Sequence, residues 1–421
     1  MAFHAPVATK TFYRTCLQIQ PVKRIIFIFF CLFFSVQLFA QITDQTDSCR
    51  IQVSLLTCTP GAELYSTFGH SALRIVDSTK GTDLIYNYGT FDFDDPNFYS
   101  KFVRGKLLYF VSVEQFQDFR AAYEYEKRGI TEQILYLSYD KKQKLITALE
   151  ENAKEENKYY KYDFVRDNCT TRLRDIIEKF SDTPYITKPL VAGTTTFREL
   201  IHSYLDKSGQ SWSKLGIDIL LGAPLDHKLS TKEIQFLPDY LLKGLDSTMV
   251  PGYMTYIGYQ ISLVIEKKVI LETSLSPETP SVLSPLVIFS VLFLLITVLS
   301  FSRSPGIQIA LNIFDKIFFF LCGILGVLIL FMWFGTDHYT CRNNFNLAWA
   351  LPTHLFIVAI SFQKNRVKKY FRVVFWLTTI LLLCWFFLPQ QMNHALFPVV
   401  GMVFVRSFFI SKRIATEALK H

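Results

Sequence analysis

Charge is scarce in this sequence. Aspartate, glutamate, lysine and arginine make up 19% of its 421 residues, against about 25% in an average soluble protein. Metal-ligand spacings are missing too. There is no CxxC, HxxH or HExxH pattern, so the sequence supports no zinc site, and nothing in it asks for a cofactor. No internal repeat is present. No basic stripe with interleaved aromatic residues appears either, which argues against a nucleic-acid partner although the formal net charge is +8. What the chain has in abundance is apolar surface: 50% hydrophobic residues, with 40 Phe and 21 Tyr. That content excludes a disordered chain or a coiled coil and argues against a wholly soluble protein. At about 100–200 residues per domain, the length predicts two or three units.

The apolar residues are concentrated at the two ends. Lys23 and Arg24 precede an apolar run over 25–36, and the small residue Ala40 closes it, the pattern of an export signal over 1–40. The alternative is an uncleaved anchor; in both cases the residues that follow are exported. Five further runs, 286–301, 317–334, 347–362, 373–388 and 395–410, are each near the length that crosses a bilayer once flanking residues are included. Arg406 interrupts the last of them. The basic residues between runs set the orientation. Lys364, Arg366, Lys368, Lys369 and Arg372 crowd one loop, Arg303 and Lys316 flank the first, and Lys412 and Arg413 follow the last run. The loops over 335–344 and 389–393 hold only Arg342 between them. The positive-inside bias places the basic loops and the C-terminus in the cytoplasm, and the segment before 286 outside. The expected organisation is a signal over 1–40, an exported domain over 41–274, a Ser/Pro-rich linker over 275–285, an all-α five-helix transmembrane bundle over 286–410 and a tail over 411–421.

The exported segment reads as α+β. Strands are expected at 51–57, 72–76, 84–88, 107–113 and 133–138, and helices at 114–127, 141–152 and 170–180. Leu173, Ile176, Ile177 and Phe180 line one face of the last helix. Cys49, Cys58, Cys169 and Cys341 fall on the oxidising side, enough for two disulfides. A working thiol among them has to stay unpaired.

Two motifs carry chemistry. In "ELYSTFGHSALRI", His70 follows Gly69 and opens a strand. In "YDFVRDNCTTRLRDIIEKF", Asp167 and Asn168 are cap-forming types and Cys169 starts the amphipathic helix. A helix N-terminus lowers a thiol pKa, and an imidazole nearby can take the proton and return it to a leaving group. Asn87, on the next strand, is the candidate to fix the imidazole tautomer; a plain strand-end hydrogen bond is its other reading. Cys58, before Pro60 and Gly61, is a rival nucleophile, or else a turn residue or disulfide partner. The aromatic stretch "YNYGTFDFDDPNFYSKFVRGK" reads either as packing or as a lip around an acyl channel, with packing favoured. "GIDILLGAPLD" reads either as a lipid contact or as a buried segment, with burial favoured, and Asp337 and His338 as solvated loop residues.

A histidine on a strand followed by a cysteine at a helix start within "NC" resembles the circularly permuted papain-like group, which includes lecithin:retinol acyltransferase and permuted relatives of NlpC-type peptidases. More closely, "LLTCTPGAELYSTFGHSALRI", "YYKYDFVRDNCTTRLRDII", "GIDILLGAPLD" and "TDHYTCRNNFNLAWALPTH" resemble the Lnb lipoprotein N-acyltransferase family. The resemblance implies a bacterial inner-membrane enzyme with a periplasmic papain-like domain. Cys169 and His70 fall on the paired catalytic positions, and Asn87 and Asn168 support them. The implied partners are a phospholipid acyl donor, a lipoprotein acceptor and the membrane. The same pair would equally serve a membrane-tethered cysteine hydrolase, and a receptor with a degenerate site is a third reading.

Overall fold

The computed structural model describes residues 50–252, 259–274, 283–360, 362 and 364–412. The expected signal, Cys16, Cys31, Cys49, most of the linker and the tail after Lys412 lie outside these residues. The first part of the chain forms a seven-stranded antiparallel sheet, ordered β10-β5-β1-β2-β3-β4-β6. Its strands are β1 (Ile51–Cys58), β2 (His70–Asp77), β3 (Thr82–Thr90), β4 (Leu108–Gln115), β5 (Ile130–Leu135), β6 (Tyr159–Lys161) and β10 (Val264–Leu271). A small second sheet joins β7 (Tyr185–Ile186), β8 (Thr248–Pro251) and β9 (Gln260–Ser262).

Period-two alternation decides what each face of the large sheet buries. Leu56, Cys58, Ala72 and Ile85 turn to one face, where Phe119 of α2 (Phe116–Tyr125) covers them. Val53, Leu55, Leu73 and Ile75 turn to the other. There they meet Leu145 and Leu149 of α3 (Tyr139–Asn152), Leu173 and Ile177 of α4 (Cys169–Phe180), and Leu241 and Leu245 of α7 (Pro238–Asp246). Between β3 and β4 lies the short α1 (Phe98–Val103), and between α4 and α7 lie α5 (Phe197–Lys207) and α6 (Ser211–Leu220). The strand expected over 133–138 sits earlier, because Ser138 instead caps α3 by accepting from the Lys141 N–H.

The second part is helical. Among the described residues it contains α8 (Pro285–Ser300), α9 (Pro305–Phe334), α10 (Asn365–Leu383) and α11 (Leu396–Lys412). Of these, α9 is long and apolar enough to cross a membrane, with 30 residues and a mean hydropathy of 2.8 over an 18-residue stretch. The run over 347–362 is not one helix, so the expected five-helix bundle differs here. It breaks into a 3-10 turn, Phe345–Ala348, and a four-residue helix, His354–Ile357. Pro352 supplies the reason: it has no N–H to give and disfavours helical backbone before it. The broken segment lies tight against α9. A Cβ at Gly326 would sit 2.1 Å from the Ala350 carbonyl oxygen, and one at Gly323 would sit 2.8 Å from the Leu355 nitrogen.

Arg406, which interrupts the last apolar run, is fully buried. It makes a two-pronged pair with Asp315 of α9 at 2.7 and 2.9 Å and donates to Ser300 Oγ of α8 at 2.6 Å. Three helices thus share one satisfied polar cluster, the condition under which a buried ion pair is tolerable.

The two parts are joined by polar contacts. The loop after α9 folds back on the sheet domain: the Asp337 N–H donates to the Arg104 carbonyl at 3.0 Å, and the Arg166 guanidinium lies 3.6 Å from the Tyr339 ring centroid. Asp337 and His338 are therefore docking residues rather than merely solvated ones. At the end of α6, Asp218 is buried and accepts from Arg198, His202 and Asn393 at 2.7, 2.8 and 2.7 Å. Beside it, Gln390 donates to the Leu221 carbonyl at 3.1 Å, and a Cβ at Gly222 would lie 2.0 Å from the Arg342 carbonyl oxygen. The loops at 335–344 and 389–393 therefore both touch the sheet domain.

Candidate active site

Gly69 places His70. It has φ +77°, a left-handed conformation, and a Cβ there would meet the Cys58 carbonyl oxygen at 2.7 Å. Only glycine meets both demands. His70 then opens β2, paired in register with Cys58 of β1.

Asn168 places Cys169. It is the N-cap of α4, accepting from the Thr171 N–H at 2.8 Å, while its own N–H donates to Thr171 Oγ1 at 2.8 Å. Its side-chain amide also donates to the Phe164 and Phe236 carbonyls at 2.7 and 2.9 Å. Every polar atom of this buried side chain is thus spent on backbone. Asn168 fixes the helix start and does not face the chemistry. Cys169 is the first helical residue, where the dipole favours a negative sulfur.

The two motifs meet. Thr170, next to Cys169, donates to Ser71 Oγ, next to His70, at 3.3 Å, and the thiol and the imidazole are near enough for each to shift the other's proton affinity. Burial alone would push the Cys169 thiol up. The charge of His70 and its hydrogen bond outweigh that, with help from the Ser71 backbone N–H and the Thr170 hydroxyl, and bring the thiol down to about 7. His70 moves the opposite way: burial would lower it, yet the adjacent sulfur and the Asn87 hydrogen bond hold it above its usual value. Both shifts favour a thiolate–imidazolium pair.

Asn87 stands behind the histidine, with its Oδ1 2.6 Å from His70 Nε2. The orientation has a cause that sequence reading missed. Asn87 Nδ2 donates to Glu114 Oε1 at 3.1 Å. A carboxylate only accepts, so Glu114 claims the amide N–H and turns Oδ1 to the ring. Nε2 then carries a proton, and Nδ1 is left to exchange one with the sulfur. Glu114 had no signal in the sequence beyond lying two residues after Ser112, which pairs with Asn87 across β3 and β4. Gly89 was also missed. Its φ of +92° is a conformation that favours glycine, and a Cβ there would touch Cys169 Cβ at 3.4 Å.

Cys58, the rival, is fully buried and unpaired. Burial pushes its thiol up to about 12 despite a hydrogen bond with Tyr123, so it stays protonated and inert. Cys341 is also free, so neither it nor Cys58 forms one of the disulfides the cysteine count allowed. Among the described residues, no group of three or more His, Cys, Asp or Glu side chains could hold a metal ion.

Comparison with known proteins gives two matches. Residues 38–203 match the Lnb N-terminal periplasmic domain, and residues 277–417 match the Lnb transmembrane domain. No curated protein and no solved structure matches the chain.

Proposed function

Because the chain belongs to the Lnb family, a membrane protein of lipoprotein maturation with a periplasmic N-terminal domain, we propose that it is a cysteine-dependent lipoprotein N-acyltransferase of the bacterial inner membrane. Cys169 is the nucleophile and acyl carrier, and His70 moves the protons. The observation that carries this reading is the thiol at the start of α4, brought down to about 7 beside a histidine whose far nitrogen is held by Asn87.

The transfer runs in two halves. The Cys169 thiolate attacks an acyl ester carbonyl of a phospholipid. A carbon–sulfur bond forms, the carbon–oxygen bond breaks, and the leaving lysophospholipid oxygen takes the proton from His70. The neutral α-amine of a diacylglyceryl-cysteine lipoprotein then attacks the thioester. Its surplus proton passes to His70, the amide forms, and the thiolate returns. Amide N–H groups at the start of α4 face the carbonyl oxygen as charge builds on it. In this reading the helical region makes five passes, the third in two short pieces, with the C-terminus in the cytoplasm. It keeps the site beside two lipid-anchored substrates.

The test is mass spectrometry of a model lipoprotein N-terminus from cells that lack their own N-acyltransferase, with and without this chain. An added acyl chain on the α-amine that requires Cys169 supports the proposal. Release of free fatty acid alone would make the protein a hydrolase.

A further inference from the structure

Building on that reading, we infer that the aromatic segment over 91–103 is a lipid-facing lip that takes an acyl chain of a bilayer phospholipid and leads it to Cys169. The segment makes a continuous series of ring contacts. Tyr162 lies beside Cys169 and Gly89 and stacks on Tyr109 with centroids 4.3 Å apart. Tyr109 meets Phe91 at 5.3 Å, Phe91 meets Phe98 at 5.9 Å, and Phe98 stacks on Phe102 at 6.2 Å. At the far end, the Phe102 carbonyl accepts from His338 Nε2 at 3.1 Å, four residues past the end of the membrane helix α9. One end of the series is thus at the proposed nucleophile and the other where α9 leaves the membrane.

Packing within the domain accounts for Tyr162 and Tyr109, which lie against the sheet core, but not for the outer rings. Phe93 is 68% exposed, Tyr99 77% and Phe102 49%, and no side chain of α1 is buried. Large apolar side chains left open beside a membrane helix continue its lipid-facing surface. Charge around the patch is balanced, with Asp92, Asp94 and Asp95 toward one end and Lys101, Arg104 and Lys106 toward the other; Lys101 is paired with Asp95, and Arg104 and Lys106 remain exposed. Amphipathic aromatic rings with adjacent basic groups suit the headgroup–acyl boundary.

The test uses full-length Cys169→Ala protein in vesicles of phosphatidylethanolamine and phosphatidylglycerol, doped with a phospholipid that carries a diazirine at the end of one acyl chain. Irradiation is expected to label a peptide spanning 91–103 as well as α9. Combined Phe93→Ser, Tyr99→Ser and Phe102→Ser is expected to cut the first label several-fold and leave the α9 label unchanged, which also checks insertion. If the triple variant fails to fold, Tyr99→Ser alone has the same expected direction. In the Cys169 background, the same substitutions are expected to slow acylation from vesicles several-fold and to leave acylation by a short, water-soluble thioester unchanged. Label confined to the membrane helices, or unchanged in the serine variants, overturns the lip. A wild-type protein that labels at 91–103 but accepts no acyl group from either donor overturns the acyltransferase reading and leaves the lip standing.

Discussion

The Cys169 site and the Asp218 junction each centre on a histidine held by one oxygen: His70 by Asn87 Oδ1 at 2.6 Å, and His202 by Asp218 Oδ1 at 2.8 Å. They differ in what else is there. Asp218 is saturated: Arg198 and His202 share one oxygen and Asn393 takes the other. Burial would raise that carboxyl, but His202, Arg198 and Asn393 bring it below its usual value, so it stays charged and fixed. The Cys169 site leaves a half-buried sulfur with one exchangeable proton beside it. A polar cluster whose partners are all committed holds the molecule together; one with a titratable atom left over can react.

Breaking each cluster should therefore give different phenotypes. The largest effect is expected at the reactive one. Cys169→Ala should abolish transfer, and His70→Ala should cost roughly a hundredfold to ten-thousandfold in rate, the usual share of general acid–base catalysis. Thermal melting should change less in both than in Asp218→Ala, because the Cys169–His70 pair exchanges its proton near pH 7 rather than holding a permanent charge. Asp218→Ala should do the reverse. Arg198 keeps its pair with Asp226 at 2.8 and 3.0 Å, but one of its N–H groups, His202 and the Asn393 amide lose their shared acceptor, a loss of about 1–3 kcal/mol, seen as a lower melting temperature for the full-length protein. The reaction of Cys169 with iodoacetamide should persist in whatever remains folded. Wild-type melting in Asp218→Ala would dissolve the contrast.

The pH dependence sharpens it. With its thiol brought down to about 7, Cys169 should alkylate faster as pH rises, with a midpoint near 7. A lowered thiol pKa means that the thiolate is lost as pH falls through that value. In His70→Ala, burial acts with less opposition, and the midpoint should move upward. An unchanged midpoint would remove His70 from the site.

Asn87→Ala should lose about tenfold in rate, the equivalent of one orienting hydrogen bond. The smallest effect is expected at Cys58. Cys58→Ala should keep full transfer activity and lose only about 1 kcal/mol of stability from a small void.

Much of this was legible in the sequence. The alternation over 51–57 and the turn at Gly81 foretold the central strands, and the apolar face of α4 foretold its packing. His70 and Cys169 stood out because the residues before them, Gly69 and Asn168, are backbone-directing types. Glu114 was hidden because its role is to turn an amide, which depends on a neighbouring strand. Asp218 was hidden for a similar reason: its partners lie on α5 and on the loop before α11, up to 175 residues away. The break in the apolar run over 347–362 was visible in Pro352, but hydropathy alone overrode it. Arg406 read as an interruption because Asp315, its partner, sits 91 residues earlier.

The central claim is that Cys169 carries the acyl group. Wild-type protein incubated with phospholipid vesicles, then digested and weighed by mass spectrometry, should show a fatty acyl mass on the Cys169 peptide. Neutral hydroxylamine should remove it, and a lipoprotein with a free N-terminal amine should discharge it to an amide. No acyl mass on that peptide, or transfer to the lipoprotein that persists in Cys169→Ala, would contradict the account.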